Sequence, residues 1–211
     1  PKRDAPSLFA ISEAKILKTI QHPGIPTIYD FEEDESFFYL VEEYIQGVSL
    51  EEFLLHQQSI SQNLFFNFCE QLCDIFAYLH TLCPNPIVYQ DLKPEHIIVC
   101  GLQIKLIDFS VASFIANSGN DFNHLGNHTF SAPELALVGP VTAVSDIYSI
   151  GKIIQFMLPF VNAPLSRNIL YITQKATNPE PAFRYQTVCE LSDVLNKMKE
   201  SLGKTHLSQN I

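Results

Sequence analysis

Two carboxylates and one cation near the middle of the chain have the types and spacing to do chemistry. Asp91 and Asp108 are seventeen residues apart, each beside a short β-like segment, and Lys93 follows Asp91 by two residues. Phosphoryl transfer uses this set: one carboxylate orients the attacking hydroxyl, a cation offsets charge on the transferred group, and a second carboxylate holds Mg2+. Taken singly, DLKPE (91–95) and LIDFS (106–110) also read as an ordinary loop and an ordinary strand end.

The elements that must position these groups follow from periodicity. Leu8, Ile11, Ile16, Leu17 and Ile20 have helical spacing, and His22-Pro23-Gly24 stops that helix. Ile25 to Tyr44 reads as two strands around an acidic turn, with FFYLV (37–41) as a buried strand. Ser49 and Glu52 have capping-box spacing, so a short helix starts there. Asn63 to Leu82 is the longest helical run, with Leu64, Phe65, Phe68, Leu72, Ile75, Phe76 and Leu79 along one broad face. The β-like pieces IVY (87–89), IIV (97–99) and IKLI (104–107) follow. Ser113 to Ser131 is polar, Asn-rich and aperiodic, so a long surface loop is expected, a feature that is usually functional in a compact domain. From Ser145 the pattern is helical again in three runs, 145–158, 165–177 and 187–199. No internal repeat or low-complexity segment occurs, and the layout is α+β.

The 211 residues suffice for one large domain or two small lobes, and 46% hydrophobic against 17% charged residues marks a folded chain. Thirteen basic and 23 acidic residues give a net charge of -10, which argues against a nucleic-acid or anionic-membrane surface. Much of that excess lies in Asp30 to Glu35, read as a solvated turn. Five cysteines without a CxxC pair or zinc spacing read as reduced, mostly buried thiols in a cytoplasmic setting. No apolar run is long enough for a membrane span.

Five motifs in order resemble the eukaryotic-type Ser/Thr protein kinase family over almost the whole chain. YQDLKPEHI (89–97) resembles the catalytic loop and DFS (108–110) the metal-binding Asp-Phe-Gly. SAPE (131–134) resembles the Ala-Pro-Glu that closes the activation segment. SDIYSIG (145–151) is similar to the start of the large C-lobe helix, where Asp146 would hold the catalytic-loop backbone; in FRYQT (183–187), Arg184 would pair with Glu134. Upstream, SEAKILKTIQHPGI (12–25) resembles the family's C helix, and LVEEYIQG (40–47) its hinge.

The resemblance implies roles. Asp91 and Lys93 would be catalytic, and Asp108 would bind metal with His96 as a possible second ligand. Glu43 and Ile45 would offer backbone groups to adenine, Ile98 would floor the base, and Glu95 and Glu13 would complete the ATP site. Glu13 would pair with the ATP-anchoring lysine, although a solvated helical Glu reads equally simply. Glu42 falls at the gatekeeper position, where a carboxylate needs a partner or a raised pKa. Leu17, Ile28, Tyr89 and Phe109 map to the family's stacked spine, or simply to core.

Departures from the family pattern also carry meaning. The glycine-rich loop and the lysine-bearing strand are missing; family spacing puts that lysine a few residues before Pro1. The expectation is a piece of a longer protein, inactive or nearly so by itself. His96 stands where the family has Asn, implying either altered metal use, with Mn2+ beside Mg2+, or a structural hydrogen bond that keeps Asp91 in place. Gln90 replaces an arginine that gathers a phosphorylated loop, so switching through it is not expected. Ser110 replaces glycine, Asn127 stands where Ser/Thr kinases carry threonine, and the short PFVNAP (159–164) lacks a docking helix.

The expected architecture is protein-kinase-like α+β: a mostly helical C-lobe with a partial N-lobe of C helix and β hairpin. Residues 1–42 form the partial N-lobe, 43–47 the hinge, 48–203 the C-lobe and 204–211 a tail. The expected function is ATP- and Mg2+-dependent (or Mn2+-dependent) phosphorylation of Ser/Thr in a protein substrate, in the manner of compact bacterial members. ATP and the protein substrate are the expected partners, without nucleic acid or membrane. The alternatives are a pseudokinase scaffold and a small-molecule kinase of the aminoglycoside or choline type; SAPE, Asp146 and Arg184 argue against the latter.

Overall fold

The computed structural model describes residues 16–33, 37–114, 129–136, 141–162, 165 and 167–208. Expectations for Glu13 and Asn127, for the helix before Ile16 and for most of the 113–131 loop lie outside these residues.

The first part is an antiparallel hairpin, β1 (Ile28–Glu33) with β2 (Phe38–Glu42), as the two β-like runs require. Its register slips at Tyr29, between the Ile28–Glu42 and Asp30–Val41 pairs. FFYLV is a strand but not a buried one: Phe37, Tyr39 and Val41 are 64%, 48% and 48% exposed, while Leu40 packs on the core. Strand alternation explains this, since only one face of a two-stranded hairpin can meet the body of the protein.

After the connector 43–47, β3 (Val48–Ser49) pairs with β5 (Ile97–Cys100), which pairs with β6 (Gln103–Leu106), all antiparallel. Gly101 turns the β5–β6 hairpin at φ 66°, which glycine adopts without strain. Gly47 is needed for space: a Cβ there would lie 2.5 Å from the Val99 carbonyl oxygen and 2.7 Å from Ile98 Cγ2. The connector thus lies directly against the β5–β6 hairpin.

Ser49 caps α1 (Leu50–Gln57), accepting the Glu52 N–H at 3.1 Å, and Ser61 caps α2 (Gln62–Thr81) through the Leu64 N–H at 3.1 Å. The broad apolar face of α2, with Phe65, Phe68, Leu72, Phe76 and Leu79, is buried. Two helices pack against it, α3 (Ala143–Met157) and α5 (Val188–Ser208), and α4 (Asn168–Ala176) packs on those two. α5, at 21 residues against 20 for α2, is the longer of the two. It runs past Gly203 to Ser208, so the expected tail from 204 begins inside a helix; one helical glycine costs only about 1 kcal/mol and need not end it.

One short strand that periodicity misses pairs with an expected one. β4 (Ile87–Val88) pairs antiparallel with β7 (Ser113–Phe114), so the expected loop opens with a paired segment. At PFVNAP, a single 3-10 turn (Leu158–Phe160) leads to Val161, which bridges to Ile60. All five cysteines are free, but only Cys69 and Cys73 are buried; Cys83 and Cys189 are exposed. Among the described residues no helix is long and apolar enough to cross a membrane.

Candidate active site

The site is built on one buried carboxylate. Asp146, in the first turn of α3, is fully buried and accepts the backbone N–H groups of Tyr89 (2.9 Å) and Gln90 (2.8 Å). The His80 Nε2–H, from the end of α2, donates to it at 2.8 Å. Three donors on one carboxylate offset the cost of burying its charge. The chain pinned there turns sharply: Gln90 has φ 73°, and the Asp91 N–H returns to the Tyr89 carbonyl at 3.0 Å. A non-glycine residue at positive φ is strained and persists only when its surroundings over-determine it. The Tyr89 ring is wedged edge-on between Phe76 and Phe109, with centroids 5.8 and 5.1 Å away.

This turn delivers Asp91 to its neighbours. Lys93 Nζ donates to Asp91 Oδ2 at 2.8 Å, with both side chains partly exposed. His96, on the 3-10 turn Pro94–His96, stands between the two carboxylates, its Nε2 3.2 Å from Asp108 Oδ2 and its Nδ1 3.6 Å from Asp91 Oδ2. Asp108 is itself at φ 64°, and the Ser110 hydroxyl and N–H both donate to its Oδ1. The His96 hydrogen bond is the main influence holding the Asp108 carboxyl well below the usual carboxylate range; partial burial opposes it and Ser110 adds to it.

The tautomer of His96 follows from its partners. The Tyr89 hydroxyl donates to the Ile107 carbonyl and approaches His96 Nδ1 at 3.1 Å; the Asp91 carbonyl lies 3.1 Å from the same nitrogen. With the tyrosine proton committed, both groups facing Nδ1 are acceptors, so Nδ1 carries a proton. Nε2 then either bears a second proton toward Asp108 or points a lone pair into a position shared with an Asp108 oxygen. The second arrangement is that of two ligands of one cation. Among the described residues no group of three or more His, Cys, Asp or Glu side chains is placed to hold a metal ion by itself. A cation here would be held by Asp108 and His96 with phosphate oxygens completing its shell, as Mg2+ in phosphoryl-transfer sites usually is. Carboxylate and imidazole donors suit such an ion once the His96–Asp108 contact gives way to it.

On the opposite wall, Glu43 Oε2 accepts the Thr27 N–H at 3.2 Å, and Lys105 of β6 pairs with the same carboxylate at 2.7 Å. The Lys105 hydrogen bond holds the Glu43 carboxyl below its ordinary value. The Glu43 N–H bonds the Thr27 carbonyl (2.8 Å), and Ile45 makes no backbone hydrogen bond among the described residues. Ile98 is half-buried on β5 against Gly47. Partial burial, and then the negative charge of Asp108, push the Glu42 carboxyl above its ordinary value. Glu95 is exposed on the 94–96 turn and has no hydrogen bond to the Asp91–Asp108 group.

Across the body, buried Arg184 grips Glu134 with two bonds of 2.7 Å each and also donates to the Asn178, Val144 and Pro179 carbonyls. Its guanidinium lies over the Tyr148 ring at 4.9 Å. The family model for the protein kinase domain matches residues 2–204, nearly the whole chain. The chain belongs to the eukaryotic-type protein kinase family. The kinase domain is 28% identical over 204 residues to serine/threonine-protein kinase PrkC of Bacillus subtilis, covering 83% of this chain and 31% of that protein. It is 31% identical over 195 residues to death-associated protein kinase 2 of Mus musculus (88% and 52%) and 27% identical over 210 residues to serine/threonine-protein kinase cds1 of Schizosaccharomyces pombe (94% and 45%). The chain thus spans between about a third and about half the length of these curated relatives.

In this kinase domain three contributors carry no sequence signal. Lys105 meets Glu43 across 62 positions, and His80 meets Asp146 across 66. The side-chain amide of Gln90 bonds two acceptors more than twenty positions downstream. Such partners are joined only by tertiary packing; a charged residue on an alternating strand was the one available hint for Lys105.

Proposed function

We propose that the kinase domain transfers the γ-phosphoryl group of ATP to a Ser or Thr hydroxyl of a protein substrate. The observation that carries this reading is the convergence of Asp91, Lys93, His96 and Asp108 within one hydrogen-bonded group. Asp91 orients the substrate hydroxyl and accepts its proton. Lys93, already directed at Asp91, offsets negative charge on the phosphoryl group in flight and favours Ser/Thr substrates. Asp108 and His96 hold a divalent ion, Mg2+ or Mn2+, which neutralises charge on the nucleotide phosphates. The Glu43 carbonyl and the Ile45 backbone bond the base over Ile98. Electrostatic positioning of this kind supplies most of catalysis in phosphoryl transfer.

A competing reading is a nucleotide-binding module without turnover. The observation favouring it is His96 itself, because an imidazole already engaged with Asp108 must give way before a cation can sit there. Radiolabelled phosphate transfer by the full-length protein, with Mg2+ or Mn2+, separates the two. Wild type should label a protein acceptor and Asp91→Ala should lose at least about a hundredfold, in line with a lost general base. Equal silence of both while ATP still binds would leave the binding-module reading standing alone.

A further inference from the structure

Gln90 does more than fill the place of a missing cation. Its side chain is buried, at 4% exposure, at the point where the catalytic turn meets β7. Its single amide nitrogen donates one proton to the Val111 carbonyl at 3.0 Å and the other to Ser113 Oγ at 2.7 Å. Its backbone N–H is at the same time fixed to Asp146. One residue thus ties the buried floor of the C-lobe to the first residues after Asp108-Phe109-Ser110. The β4–β7 pairing, Val88 with Ser113 and Ile87 with Phe114, continues that tie along the backbone.

The other end of the amide explains its orientation. Gln90 Oε1 is buried without a hydrogen-bond partner among the described residues, a cost accepted only if the nitrogen's two bonds are worth more. Turning the amide over would aim the oxygen at the Val111 carbonyl, acceptor against acceptor. Both acceptors are neutral, so the contact needs no phosphate and no counter-charge.

We infer that Gln90 is a positioning residue that holds the root of the segment from Asp108 to Glu134 in place constitutively, substituting two neutral hydrogen bonds for a phosphate-dependent contact. The inference rests on the proposed kinase function only for its effect on turnover; the clamp itself is a property of the fold. It also predicts how the clamp can be broken and repaired. Leucine of similar size removes both donors along with the unsatisfied oxygen and leaves the Val111 carbonyl and Ser113 Oγ without them, so the loss falls at the root of the segment. Glutamate faces the Val111 carbonyl with an acceptor. Arginine again supplies two N–H donors and should restore the tie.

The test is amide hydrogen exchange on the full-length protein, read at residues 111–114, for wild type, Gln90→Leu, Gln90→Glu and Gln90→Arg. Loss of two hydrogen bonds of ordinary net strength should raise exchange there by about tenfold or more in the Leu and Glu variants. The Arg variant should stay near wild type, and phosphatase treatment should leave wild-type exchange unchanged. Exchange in the Leu and Glu variants within about twofold of wild type would overturn the inference, as would an Arg variant as fast as Leu or a wild type loosened by phosphatase. Kinetics supply a second readout: the Leu variant should raise the KM for protein substrate more than it lowers kcat. If no turnover is found but the exchange pattern holds, the kinase reading falls and the clamp stands.

Discussion

Replacing Asp146 by asparagine tests whether one buried carboxylate fixes the catalytic turn. In the folded protein it receives three hydrogen bonds of 2.8–2.9 Å and has no exposure to water. Asparagine keeps the shape but has one acceptor oxygen, and its NH2 must face a donor. The least costly orientation leaves the oxygen on the Tyr89 N–H and His80, which both meet Oδ2, and sets the NH2 against the Gln90 N–H. One charge-assisted bond worth about 1.5–3 kcal/mol is then lost, and the other two fall to roughly half strength. Relief from burying a charge returns part of this, which leaves a net loss of about 3 kcal/mol. For a chain of this size that corresponds to a melting point lower by roughly 6–12 °C. Thermal unfolding measures the first quantity, and exchange at the Tyr89 and Gln90 amides shows where it arises. A variant melting within about 2 °C of wild type, with both amides still protected, would refute the reasoning, because the turn would then be held by something else.

Three other outcomes follow from the same geometry. Arg184→Met should cost about 3–5 kcal/mol in denaturant unfolding, since it strands half-buried Glu134 without its partner. Acid should destabilise the fold: the Lys105 hydrogen bond sets the Glu43 carboxyl below its ordinary 4.5, so its stabilisation is complete above about pH 5 and is lost as the pH falls through the lower folded-state value. Glu43→Gln should flatten that limb of a stability–pH curve. Gly47→Ala, whose new Cβ would sit 2.5 Å from the Val99 carbonyl oxygen, should lower stability by about 1–3 kcal/mol by pushing the connector off β5, seen as a lower denaturant midpoint.

What the sequence revealed of this fold depends on how local each cause is. The caps at Ser49 and the apolar face of α2 follow from spacing alone, because helix periodicity and capping act within a few residues. Glu134–Arg184 and Asp146 were legible only through motifs, since the pairs span 50 and 56–57 positions. β7 was hidden because two paired residues leave no periodicity, and it opens a stretch that reads as polar loop. The exposed side of FFYLV was misjudged because a run of five apolar residues does not tell a reader which face has a partner. The Lys105–Glu43 pair had no local signature at all.

The altered letters of the catalytic turn lose their independence once the side chains are placed. Tyr89, mapped to the family's spine, and His96, a departure from the family pattern, bond each other at 3.1 Å. The tyrosine hydroxyl donates its hydrogen bond to the Ile107 carbonyl, one residue before Asp108, and thereby makes His96 Nδ1 a donor toward the Asp91 carbonyl. That choice turns His96 Nε2 toward Asp108. Gln90, between them in sequence, ties the same turn to Val111 and Ser113. The side chains therefore act along one chain of hydrogen bonds running from Ile107 through Tyr89 and His96 to the Asp91 backbone carbonyl and the Asp108 carboxylate, with a branch through Gln90 to β7. Changing any one of them alone strands a buried donor or acceptor in the next, so the turn is a rewired version of a phosphotransferase loop in which every acidic group still has a partner.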